Sequence, residues 1–175
     1  HNIALHPNGT VTAFGMNSSN QTDVPDNLSN IIKVVGGAYH SLALDTQGNL
    51  YAWGKSNHGQ SDIPEGLYNV IDMAGGESHT IVLHSDGTVS AWGYNGYNQT
   101  DIPEGLSDVI AVDAGGSYSL ALHSNGTVSA WGSSSSGSID IPEGLSDVIA
   151  ISAGIYHNLA LHSDGTVSTW GNWPA

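Results

Sequence analysis

Nine histidines and sixteen acidic residues, in a chain with two lysines and no arginine, are the groups that could do acid–base or metal chemistry. They fall in columns. His1, His40, His79 and His157 recur at a spacing of 39 residues or its multiples, and Tyr118 occupies the remaining place in that series. A second column, His6, His84, His123 and His162, carries Asp45 at its odd place. A third column holds Asp23, Asp62, Asp101 and Asp140, with Glu65, Glu104 and Glu143 three residues further on. A metal centre needs several ligands converging on one point, whereas copies a full period apart belong to successive structural units. The first column is therefore expected to be partly buried and to hydrogen-bond a neighbouring unit. The second column should flank exposed turns, and the Asp-x-Pro-Glu pairs should be surface turn chemistry around a proline. No Ser/His/Asp grouping has the local signature of a nucleophile elbow, and no glycine cluster resembles a phosphate loop. The expectation is a non-enzymatic chain with no metal and no cofactor.

The elements that position these columns repeat with the same period. Phe14-Gly15, Trp53-Gly54, Trp92-Gly93, Trp131-Gly132 and Trp170-Gly171 mark it, as do Gly9, Gly48, Gly87, Gly126 and Gly165. Each full copy predicts three strands. The first (Ile31–Val35, Val70–Ala74, Val109–Asp113, Val148–Ser152) opens on a continuous apolar run, as in a strand buried on both faces. A Gly-Gly or Ala-Gly pair then allows a close turn. The second strand (Ser41–Leu44 and its copies) leads to an Asn-Gly or Asp-Gly hairpin in four of five copies, with positive φ expected at both residues. The third alternates Val and Trp with Ser and Ala, as in Thr88–Trp92. The segment that follows carries a proline, so any fourth strand there is short and peripheral. His40, His79 and His157 and the rings of Trp53, Trp92, Trp131 and Trp170 are thus structural repeat positions, the tryptophans as core between units.

These features predict an all-β, β-propeller-type repeat array of three- to four-stranded antiparallel blades, about 4.5 repeats long. The chain reads as a single repeat domain, 1–175, with a partial copy at 1–30, full copies at 31–69, 70–108 and 109–147, and a partial copy at 148–175. The first strand is missing from the N-terminal copy. A partial, open or intermolecularly completed propeller is expected, with a closed five-bladed ring as the lesser alternative. His1 in place of Met, with no signal-peptide pattern, suits a processed product or a piece of a longer array.

The stretch VIAVDAGGSYSLALHSNGTVSAWG resembles the regulator of chromosome condensation repeat, whose pattern runs through a Gly-rich turn, His-Ser-Leu-Ala-Leu, Asp-Gly and Trp-Gly. The 39-residue spacing, with Gln-Thr-x-Val/Ile-Pro after Trp-Gly, looks more like the short bacterial form that includes propeller-type β-lactamase inhibitory proteins. The resemblance implies a propeller fold. It also implies that variable loops would supply aromatic and acidic contacts to a protein target.

Composition narrows the partners. The formal net charge is −14, and two isolated lysines, Lys33 and Lys55, cannot neutralise a run of phosphates, so nucleic acid is excluded. Anionic membrane surfaces are disfavoured on the same ground, and no apolar run is long enough for a spanning helix. The Ser/Asn/Gly-rich, Lys-poor composition leans towards an extracellular or cell-surface protein. Repeated residues solve a packing problem common to every blade, so function belongs where the copies differ. Those positions are Tyr39, Glu77 and Tyr156 before the second strand, and Lys55, Asn57, His58, Tyr94, Asn95 and Tyr97 after Trp-Gly, with Trp173 near the end. Of the six Asn-x-Ser/Thr sequons, Asn20 and Asn98 lie in exposed-type Asn-Gln-Thr loops and are the candidate glycosylation sites. The expected role is a binding or adhesion module for a protein or glycan ligand. The alternative is a subunit that assembles head-to-tail into a filament, and an enzyme inhibitor is the narrower third.

Overall fold

The computed structural model describes residues 1–172, so Trp173 lies outside the described residues. Fourteen strands are present among them, grouped in antiparallel meanders. β1 (Asn2–Leu5) and β2 (Val11–Phe14) form a two-stranded sheet. Four three-stranded sheets follow: β3 (Ile31–Gly36), β4 (His40–Asp45) and β5 (Leu50–Gly54); β6 (Val70–Gly75), β7 (His79–His84) and β8 (Val89–Gly93); β9 (Val109–Ala114), β10 (Tyr118–His123) and β11 (Val128–Gly132); β12 (Val148–Ala153), β13 (His157–His162) and β14 (Val167–Gly171). The proline-bearing segments 15–30, 55–69, 94–108 and 133–147 hold no strand, so each of the four blades from β3 onwards has three strands and none has a fourth. No helix among the described residues is long and apolar enough to cross a membrane.

Two local geometries differ from what the sequence suggests. The hairpin after each second strand is a type I turn closed by a left-handed glycine. Gly87 N–H donates to His84 O and His84 N–H to Thr88 O, while Gly87 alone, and not Asp86, has positive φ. The aspartate is used differently: its carboxylate accepts from the Thr88 N–H at 3.0 Å and from the Thr88 hydroxyl at 2.6 Å. These hydrogen bonds hold the Asp86 carboxyl below the usual carboxylate range. In the copy that has Gln47-Gly48, Asp45 does this work from the histidine position, accepting from the Gln47 and Asn49 N–H groups. The first strand is also not buried on both faces. A bulge near its start shifts the register, and the extra residue swings outward, leaving Ile32, Ile71, Ile110 and Ile149 more than half exposed.

The core lies between blades. Leu42 and Leu44 of one blade meet Val70, Met73, Val82 and Trp92 of the next. Ile81 and Leu83 meet Val109, Val112, Ala121 and Trp131, and Leu120 and Leu122 meet Val148, Ala160 and Trp170. Trp92, Trp131 and Trp170 thus pack on the preceding blade, and Trp53 likewise meets Ile3, Leu5 and Val11 of the first sheet. The array is open. Leu159 and Leu161, the counterparts of Leu120 and Leu122, are 38% and 36% exposed where the earlier pair is 0% and 1%. At the other end Phe14, in the tryptophan column, is 55% exposed.

Polar side chains stitch the same interfaces. His40 Nε2 lies 2.9 Å from Thr80 Oγ1, and His79 Nε2 lies 3.1 Å from Ser119 Oγ. Those hydroxyls donate to the carbonyls of Gln60 and Gln99. Each imidazole must therefore donate from Nε2, and burial holds His40 and His79 neutral with pKa values lowered to about 4. Tyr118 reaches across in its own way, its hydroxyl 2.9 Å from the carbonyl oxygens of Gly154 and His157. On the first strands Lys33 pairs with Asp72, whose other oxygen accepts from Val112 N–H, and Asp113 accepts from Ala153 N–H. Burial raises the Asp113 pKa against these backbone donors.

The second histidine column does more than flank exposed turns. His84 is buried, its Nδ1 2.6 Å from Tyr68 O and its Nε2 2.8 Å from Ser90 Oγ. His123 and His162 repeat both contacts, so these three histidines pin the ends of the linkers 55–69, 94–108 and 133–147 to the hairpins that follow.

Candidate ligand-binding loop face

The two loop sets singled out by their variability meet at one end of each blade. Lys55 N–H donates to Tyr39 O, Tyr94 N–H to Ser78 O, Ser133 N–H to Ser117 O, and Asn172 N–H to Tyr156 O. The loop before the second strand and the loop after Trp-Gly are therefore held side by side. Adjacent blades are joined on the same face: Ala38 N–H donates to Gly76 O, Glu77 N–H to Gly116 O, and Gly116 N–H to Ile155 O. This backbone ladder requires glycine at its turns. A Cβ on Gly76 would lie 2.6 Å from Gly115 O and would also strike the His79 ring.

Each loop after Trp-Gly is shaped from within. A buried glutamine side chain accepts the N–H two residues before it: Gln21 from Ser19, Gln60 from His58 at 3.0 Å, and Gln99 from Tyr97 at 2.9 Å. The acidic column closes the same loops from outside. Asn17 donates to Asp23, Ser56 to Asp62 and Asn95 to Asp101, at 2.6–2.7 Å. In the serine loop Ser138 stands in the glutamine position and takes a hydroxyl bond from Ser136. No group of three or more His, Cys, Asp or Glu residues among the described residues could hold a metal ion.

The result is a cleft of about 480 Å³ lined from four successive blades. Lys55, His58, Glu77, Tyr94, Tyr97 and Tyr156 line it, with Ser117, Tyr118, Ser133 and Ile155. His58 and Tyr94 rings lie 4.8 Å apart, and Tyr97 meets Tyr94 edge-on at 6.0 Å. Lys55 Nζ sits 4.7 Å from the centroid of the Tyr39 ring. A shallower hollow beside it, walled by Tyr39 and the glycine turns, shares Glu77, Ile155 and Tyr156. Asn57 is exposed and outside both, and Asn95 spends its amide on Asp101 and its carbonyl oxygen on Thr100 N–H. Asn20 and Asn98 are exposed residues with φ of 59° and 62°. Sequence reasoning missed the serine wall and the buried glutamines. The glutamine column, Gln21, Gln60 and Gln99, is visible in the repeat but looks like part of a polar loop.

The model of the regulator of chromosome condensation (RCC1) repeat matches four times, at residues 31–60, 70–99, 109–138 and 148–172. The chain belongs to this repeat family. Comparison with curated proteins found no match. Among solved structures, the ectodomain of the receptor kinase CR4 from Physcomitrella patens is 21% identical with a TM-score of 0.80, covering 98% of this chain and 52% of its own. Human WBSCR16 is 20% identical with a TM-score of 0.76, covering 97% and 58%. Prp20p from Saccharomyces cerevisiae is 21% identical with a TM-score of 0.71, covering 81% and 45%. The RCC1-repeat chain thus spans about half the length of these structures, and at such identity they establish the fold alone.

Proposed function

We propose that this RCC1-repeat array is a non-enzymatic binding module that recognises a protein, or a glycan, through its loop face. The observation that carries this reading is the backbone ladder. It fixes the variable loops of successive blades in one surface, where their tyrosines, Lys55, His58 and Glu77 share a cleft. Rigid aromatic side chains on a preordered backbone lose little entropy on binding and bury large areas, which favours recognition there. Binding of Prp20p to Gsp1p and histones, and the ectodomain nature of the CR4 propeller, support a partner-binding role and an extracellular or cell-surface setting. The same surface would serve adhesion or enzyme inhibition equally well. The test is a protein-partner screen and a glycan array probed with the full chain and with Tyr94→Ala and Tyr97→Ala. The reading expects both variants to stay folded and to lose at least tenfold in affinity; full retention by both refutes it.

One observation favours a second reading, head-to-tail association. Leu159, Leu161 and Val167 form an exposed face that is covered by a neighbouring blade in every earlier copy, and Phe14 is exposed in the position of the intercalating tryptophan. A non-closing heterologous contact of this kind builds filaments. Light scattering after size exclusion should then show mass rising with concentration and Leu161→Asp returning it to monomer. A concentration-independent monomer removes this reading.

A further inference from the structure

We infer that the cleft takes a cationic side chain, a lysine or arginine on an extended basic segment of a protein partner, and that Tyr156 and Glu77 receive it. The inference deepens the binding-module reading above and rests on it. Its starting point is a pair inside the molecule. In the blade of β3–β5, the Tyr39 ring carries the Lys55 ammonium at 4.7 Å from its centroid, and the two residues are tied by the Lys55 N–H bond to Tyr39 O. Tyr156 is the copy of Tyr39 three periods on, and Asn172 is the copy of Lys55, with the same backbone bond at 3.0 Å. Asn172 has no charge to offer. Tyr156 is 50% exposed, so half of its surface is presented to solvent on the cleft wall.

The surroundings favour a cation there over an anion. Glu77, exposed, projects from the ladder position that lies in the same cleft as Tyr156. A ring face and a carboxylate together complement an ammonium or guanidinium, by cation–π attraction and a charge-assisted bond. Tyr94 and Tyr97 supply further ring surface along the cleft, and the Ser133 and Ser135 hydroxyls offer acceptors for the rest of an extended backbone. Lys55, the cation of the cleft wall, is already held on Tyr39. At long range a chain with sixteen acids and two lysines draws basic partners and repels acidic ones.

Two synthetic ten-residue peptides test this by calorimetry on the full chain: one alternating Lys and Arg with Gly and Ser, the other with Gln at every basic place. The basic peptide should bind, and the Gln peptide should bind at least tenfold more weakly. Tyr156→Ala, which leaves the net charge unchanged, and Glu77→Gln should each weaken the basic peptide about tenfold. Glu65→Gln, a charge control outside the cleft, should leave it within twofold. Equal loss in Glu77→Gln and Glu65→Gln, or no loss in Tyr156→Ala, would mean diffuse electrostatic attraction and would overturn the inference. Equal binding of the two peptides would overturn it as well. If partners from the screen bind through Tyr94 and Tyr97 but ignore charge, the binding-module reading stands and this inference alone fails. Circular dichroism of each variant separates lost binding from lost folding.

Discussion

At the scale of single residues, the His40 and His79 rings act as neutral donors between blades, and this has a pH signature. An unfolded histidine titrates near its ordinary value of about 6.5, whereas the folded chain holds these two near 4. Above pH 6.5 both states are neutral and the groups add no pH dependence. As pH falls below 6.5 the unfolded chain takes up protons first, so stability drops, and the drop levels off below about pH 4. Each ring contributes up to about 3 kcal/mol of this loss, as an upper bound. Urea unfolding at pH 7.0, 5.5 and 4.5 should show it. His79→Gln should be less stable at pH 7 but should have a shallower fall; an unchanged slope would contradict the assignment. Tyr118 shows why the column tolerates a non-histidine. What the interface requires is a donor aimed at the next blade, and a phenol supplies one.

At the scale of elements, the loops depend on buried side chains beneath them. Gln99→Ala would remove the acceptor of Tyr97 N–H and open space beneath the loop. It should cost about 1–2 kcal/mol in thermal or urea unfolding and should weaken ligand binding, because Gln99 both shapes the Tyr97 loop and lies at the base of the cleft. Gly76→Ala should be harsher, because a Cβ there meets the next turn's carbonyl and the His79 ring. Differential scanning calorimetry should register a loss of several degrees. The strands, their order and the tryptophan interface were legible in the sequence, because period-39 spacing and alternating apolar residues report directly on packing. The bulge at Ile32 was not, since an exposed and a buried isoleucine look alike in a run of apolar residues. The hairpin type was also hidden. Asp-Gly fits two turns, and the choice depends on the threonine after it, which holds the aspartate carboxylate. At the face itself, variability located the loops but could not separate Tyr94 and Tyr97, which line the cleft, from Asn95, which closes its own loop.

At the scale of the whole molecule, the hydrophobic clusters among the described residues join adjacent blades, so damage should stay local. Trp92 is clamped between two blades that are each clamped in turn, while Trp170 belongs to the blade whose far face is exposed. Removing either ring costs about 3–5 kcal/mol of packing. Hydrogen exchange should tell them apart. Trp170→Ala should release the amides of β12–β14 and spare β3–β8, whereas Trp92→Ala should loosen blades on both sides of the break. Uniform loss of protection in Trp170→Ala would show that the array folds as one unit.

The backbone ladder along the loop face has an engineering consequence. Its rungs are main-chain groups, so once its turn glycines are kept the floor of the face is indifferent to the side chains of the loops after Trp-Gly, much as type is set on a fixed bed. A recognition patch should therefore be movable by whole blades. Transplanting residues 94–99 into positions 133–138 would place a second Tyr94–Tyr97 pair, with its own supporting glutamine, one blade along. Such a chain should fold with little change in stability and should hold two copies of the aromatic patch. Titration should then read out two sites for a short ligand where the parent has one.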